Sequence, residues 1–146
     1  MKKTPRSNCI LVNPVLIRDE TIFSASVFKR FPKARTAYMG RTDVEVGSID
    51  IIKDSVTIAN LYIKYRQKTD FDLTAFIRGM CRIMNYAQEN GLNVYLPHFF
   101  KHYNHEILER LGRFMREYFP CYTIQVKLIP YRPLKGDKDG QLSLLL

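Results

Sequence analysis

The most restrictive feature of the sequence is the step at Asn90-Gly91, where a helical hydrophobic repeat stops and a strand-type run begins. Before it, Leu73, Phe76, Ile77, Met80, Ile83, Met84 and Ala87 recur at i, i+3, i+4 spacing, with Arg78, Arg82 and Asn85 on the other side. That spacing predicts an amphipathic helix over Phe71 to Gln88, capped by Asp70. After it, Leu92-Asn93-Val94-Tyr95-Leu96 has the length and residue types of a buried strand, which Pro97 ends.

The rest of the chain continues the alternation. Cys9-Ile10-Leu11-Val12-Asn13 reads as a buried strand stopping at Asn13-Pro14. Asp19 or Thr21 can cap a helix through Phe28 that Phe31-Pro32 closes, and Lys33 to Arg41 adds a short second helical turn before Gly40. Val44 to Val46, Ile49 to Ile52 and Val56 to Ile63 look like strand segments, the last two forming a hairpin around Lys53-Asp54-Ser55. Asn104 or His105 opens a helix to Tyr118, and Tyr122 to Ile129 is a final strand. This order predicts an α/β sandwich with a mixed sheet.

At 146 residues and 46% hydrophobic the chain suits one domain, placed at residues 1–130, with 131–146 expected to be a mobile C-terminal tail ending in the apolar run Leu142 to Leu146. No apolar run reaches the ~20 residues of a membrane span, and Met1-Lys2-Lys3 leads into polar residues rather than a signal core, so a cytoplasmic protein is expected. Cys9, Cys81 and Cys121 form no CxxC pattern, which argues against a disulfide framework.

The net charge of +9 favours an anionic partner, because such a field concentrates phosphates near the surface. For nucleic acid the candidate contacts are Lys29, Arg30, Lys33, Arg35, Arg41 and Lys101, binding without reading bases. The loop after Pro97 is a site candidate by position alone, since ligands in open α/β sheets bind beyond the carboxyl ends of the strands. His98, His102 and His105 would share a helical face at i, i+4 and i+7, but Pro97 works against a helix there, and no metal is expected. Aromatics and bases interleave along Tyr95, Phe99, Phe100, Lys101, His102 and Tyr103; Phe99 and Phe100 are read as core, Lys101 and Tyr103 as exposed.

Together these pieces resemble the macro domain, the α/β/α module that binds ADP-ribose and includes ADP-ribose-1''-phosphate phosphatases and ADP-ribosyl hydrolases. Ile10-Leu11-Val12-Asn13-Pro14 looks like that family's strand ending in V-N. Ala25 with Phe28-Lys29-Arg30-Phe31-Pro32 looks like its A-x-x-F-K-x-x-F-P helix end, and Tyr38 follows at the family's distance. Gly47 to Leu61 matches its G-x-I-x-I…I-A-N-L hairpin, and Val94-Tyr95-Leu96-Pro97 the strand before its second phosphate loop. The resemblance implies a three-layer α/β/α sandwich with a mixed sheet, N-terminally shortened because the strand carrying the family's adenine-contacting aspartate is not supplied.

The sequence departs from the family where the family holds its ligand. Its first glycine loop is replaced by Val15 to Glu20 and its second by His98 to Asn104, both without a glycine to let backbone amides approach a diphosphate, and Lys64 stands where N-L-x-T-Q has Gln. The expectation is a divergent, non-catalytic binding domain, of the kind a phage or mobile element carries as an accessory protein. Its ligand would be a nucleotide or ADP-ribose-like molecule, single-stranded nucleic acid or a host protein, with no cofactor. Candidate ligand contacts are Asn13, which the resemblance implies would orient a ribose, with Arg18, Asp19, His98, Lys101, His102, Tyr103 and Asn104. The alternatives are an ADP-ribose-1''-phosphate phosphatase or ADP-ribosyl hydrolase with a rebuilt site, with Asp19, Glu20 or a histidine as acid or base, and a basic nucleic-acid-binding protein.

Overall fold

The computed structural model describes residues 8–67 and 69–134. A mixed five-stranded sheet of order β2-β3-β1-β4-β5 forms the middle layer. Its strands are β1 (Cys9–Leu16), β2 (Ile49–Lys53), β3 (Thr57–Lys64), β4 (Asn93–Pro97) and β5 (Val126–Ile129). β1 pairs parallel with β3 and with β4, β5 pairs parallel with β4, and only the β2–β3 hairpin is antiparallel.

The alternation of side chains along β1 builds two cores. Ile10, Val12 and Leu16 join the cluster under helices α3 (Leu73–Glu89) and α4 (His105–Tyr118), while Cys9, Leu11 and Val15 join the cluster under α1 (Ile22–Arg30) and α2 (Pro32–Gly40). The three-layer sandwich expected from the sequence is therefore the observed one. Both faces of β1 are buried, which is why it reads as a continuous apolar run rather than an alternating one. No helix of the described residues is long and apolar enough to cross a membrane.

Helix α3 ends as the Asn90-Gly91 step requires. Gly91 takes φ of 65°, and the Leu92 N–H reaches back to the Ala87 carbonyl at 2.8 Å, the Schellman closure that turns the chain into β4. Gly79 lets α3 lie close on β3, since a Cβ there would come within 2.3 Å of Leu61 Cδ1.

Several boundaries differ from the sequence reading. β1 runs through Asn13-Pro14 to Leu16, because its pairing with β4 ends at Leu11 and a proline beyond that point sits where β1 has one neighbour. Residues 32–40 form a full helix, α2, with Pro32 at its first position, rather than a short turn. Val44 to Val46 is not a strand: Gly47, at φ of 95°, donates to the Tyr62 carbonyl at 2.7 Å and turns the chain into β2. Asp72, not Asp70, caps α3 by accepting the Ala75 N–H at 3.0 Å, which frees Phe71 to pack on Phe76 and Phe99. β5 starts at Val126 rather than Tyr122, because side chains of α3 hold the preceding stretch: Tyr122 donates to Asn85 and the Thr123 N–H to Gln88.

Of the stretch 131–146, expected to be a mobile tail, residues 131–134 are described. The Leu134 N–H donates to Ser26 Oγ at 2.8 Å and the Tyr131 ring packs on Phe23, so residues 131–134 lie against α1. The Leu-rich end from Leu142 lies outside the described residues.

Candidate functional site

The parallel strands β1, β3, β4 and β5 end at one rim of the sheet, and β1 is where the strand order reverses. Chain leaving β1 goes to the α1–α2 layer and chain leaving β4 to the α3–α4 layer, which opens a crevice between them at this rim.

The loop after β4 is anchored from below. The His98 N–H donates to the Ile129 carbonyl at 2.9 Å, so the ladder with β5 continues one residue past Pro97. Phe99 and Phe100 then enter the α3–α4 core, 9% and 2% exposed, with their rings 5.2 Å apart at 90°. They are core residues, as read from the sequence. The Phe99 N–H donates to the Pro97 carbonyl at 2.8 Å and the Tyr103 N–H to the Phe100 carbonyl at 3.1 Å, which closes the loop on itself. Lys101 and His102 are left exposed at its tip.

Tyr103 departs from expectation. It is half-buried against Phe71 at 5.0 Å, with the Lys64 ammonium over its ring at 5.5 Å, and burial followed by the nearby Tyr131 pushes its hydroxyl up to about 12. Asn104 caps α4 by accepting the Ile107 N–H at 2.9 Å.

Opposite this loop lies the chain leaving β5. His98, Phe99, Lys101, His102 and residues 128–132, Leu128 to Arg132, line a half-open cavity of about 650 Å³, in the size range of small-molecule sites. Two fixed cations, Lys101 and Arg132, and two imidazoles line it, and no carboxylate does so among the described residues. Burial, then the Lys101 charge, holds the His98 imidazole below its ordinary value. The Tyr131 ring lies 6.3 Å from Phe99 on one side and 5.3 Å from Phe23 on the other, so an aromatic string closes the crevice from layer to layer.

The remaining candidates lie elsewhere. Asn13 is completely buried, three residues or about 10 Å short of the end of β1, and its amide donates to Asn60 Oδ1 at 2.9 Å. Its own Oδ1 has no partner. Arg18 lines a second cavity of about 340 Å³ with Tyr38, Arg41 and Tyr62. Asp19 accepts the N–H groups of Glu20 and Gln67. The three histidines do not share a helical face, since α4 begins only at His105, and no group of three potential metal ligands occurs among the described residues.

Of the basic candidates, Lys29 and Arg30 end α1 while Lys33 and Arg35 begin α2, forming one corner. Arg41 instead pairs with Asp50 and lies over the Tyr62 ring, and Lys101 belongs to the larger cavity. Sequence reasoning missed Tyr131 and Arg132, which it assigned to the tail. The available signal was Leu128-Ile129-Pro130, a strand end leading straight into an aromatic and a base.

No protein-family model and no curated protein matches the sequence. Solved structures do match. A macrodomain protein from Streptomyces coelicolor superposes with a TM-score of 0.65 at 17% identity, over 83% of this chain and 87% of that one. The macrodomain of Mycobacterium tuberculosis DarG gives 0.62 at 19% identity, over 89% and 94%, and that of Thermus aquaticus DarG gives 0.61 at 17%, over 86% and 90%. The chain has a divergent macrodomain fold.

Proposed function

We propose that the protein is a non-catalytic binding module and that its ligand is a nucleotide-type phosphate compound held in the His98–Arg132 cavity. The observation that supports this reading is the cavity's lining: Lys101, Arg132 and two histidines beside Phe99 and Tyr131, at the carboxyl ends of β4 and β5. Cations neutralise phosphate and aromatic faces carry a base. Catalysis is disfavoured by the same lining, because the carboxylates Asp19 and Glu20 are absent from it and the histidines have no acidic partner within it.

Calorimetric titration with AMP and with ADP-ribose tests the reading. AMP should bind saturably, and Lys101→Ala should weaken it by about tenfold, the value of one charge-assisted hydrogen bond at the low end of its range. ADP-ribose should give no saturable heat at micromolar concentration, since the loops after β1 and β4 have no glycine to let backbone amides approach its diphosphate. Failure of AMP to bind at millimolar concentration would end the proposal, and release of phosphate or ADP-ribose from a model substrate would replace it with a hydrolase.

A second reading, nucleic-acid binding, is favoured by one observation. Residues 22–40 contain Lys29, Arg30, Lys33 and Arg35 and no acidic residue, so four of the net +9 charges fall in the α1–α2 layer. Binding of a single-stranded oligonucleotide there should weaken steeply with salt and be lost on Lys29→Glu/Lys33→Glu. Affinity unchanged between low and high salt excludes it.

A further inference from the structure

We propose that the cavity beside His98 selects a terminal phosphate monoester, the dianionic end of a nucleoside monophosphate, over a phosphodiester or a bridging diphosphate. The inference rests on the nucleotide reading of that cavity and specifies its ligand.

The argument begins with the donors that the loop has left. The N–H groups of His98, Phe99 and Tyr103 donate to the carbonyls of Ile129, Pro97 and Phe100, so these amides are committed within the protein. The side chains that the cavity offers to an anion are Lys101 and His102 from the loop tip, His98 from its root and Arg132 from the chain after β5.

Such a set has a different selectivity. Four cationic or protonatable groups around one cavity concentrate their field on a compact charge, and a monoester carries nearly two negative charges at neutral pH where a diester carries one. No carboxylate in the lining offsets that field. Arg132 supplies the planar fork that fits phosphate oxygens, and Lys101 acts as a mobile point charge. Phe99 and Tyr131 leave an apolar surface beside them for the nucleoside.

The site also couples to protons. The titratable and charged groups that face His98 are Lys101 and His102 on its own loop and Tyr131 and Arg132 on the chain after β5, while Phe100 packs on its ring at 4.4 Å. Burial, then the Lys101 charge, favours the neutral form of the free His98 imidazole, and a dianion entering the cavity opposes both by drawing a proton onto it.

Calorimetry of the full chain with AMP and with 3',5'-cyclic AMP separates the possibilities, because the two share base and sugar and differ in phosphate charge. At about pH 7.5, in two buffers of different ionisation enthalpy, AMP should bind at least about tenfold more tightly than the cyclic nucleotide and with net proton uptake. His98→Gln should abolish the uptake while AMP still binds, and Arg132→Ala should remove most of the preference. Equal affinity for the two nucleotides overturns this inference and leaves the nucleotide reading standing. Absence of binding by both removes the reading and the inference together.

Discussion

Replacing Phe100 by alanine should lower the unfolding free energy by about 3–5 kcal/mol, the range for deleting a large aromatic side chain from a packed core. Phe100 is 2% exposed, stands edge-on to Phe99, and carries the His98 ring 4.4 Å from its own. The site cannot collapse to fill the space, because Phe99 is itself held by Phe71, Phe76 and Tyr103. Urea denaturation measures the change directly. A loss below about 1 kcal/mol would mean that the loop after β4 is not anchored by this ring. The same variant should loosen Lys101 and His102, which owe their placement to the anchored residues just before them.

A comparable loss is expected for Asn60→Ala, for a different reason. Asn60 is fully buried in β3; it accepts from Asn13 at 2.9 Å and donates to the Ala34 carbonyl at 3.0 Å and toward Asp50 at 3.4 Å. Truncation strands the Asn13 amide, whose oxygen already lacks a partner, and removes the second donor of the Ala34 carbonyl, which keeps its place in the α2 ladder. At about 1–3 kcal/mol for the stranded amide and about 0.5–1.5 kcal/mol for the lost bond to Ala34, the variant should lose about 2–4 kcal/mol. The double variant Asn13→Leu/Asn60→Leu should recover most of the loss, since removing both partners leaves nothing unsatisfied between them. If it is no more stable than Asn60→Ala, the Asn pair is not the source of the effect. The cycle also bears on what Asn13 does: a residue acting only inside the core would change stability and leave AMP affinity unaltered.

Much of the fold was legible because its signals were local. The stripe on α3, the Asn90-Gly91 stop and the β2–β3 hairpin each sit within a few residues of the features that determine them. What was misread depended on distant partners. Pro14 looked like a strand end, yet β1 continues because it has lost only one neighbour there. Tyr122 to Gln125 has strand composition but is held by Asn85, Gln88 and Asn93. The candidate cavity was half visible: the loop after β4 stood out through its bases and aromatics, whereas Tyr131 and Arg132 join it only because parallel pairing brings the end of β5 beside Pro97. Arg18 and Lys101 looked equivalent as side chains facing a phosphate, and the topology assigns them to separate cavities.

The position of β1 has a consequence for how the chain is made. It is synthesised before its neighbours, yet it is the central strand, and Asn13 meets Asn60 only 47 residues later, with β4 later still. At ribosomal rates of roughly 5–20 residues per second, the eight buried residues from Cys9 to Leu16 wait roughly 2–10 s for a first partner strand. Throughout that interval the buried central strand of the nascent chain has no sheet to join, and its apolar side chains are open to non-native contacts.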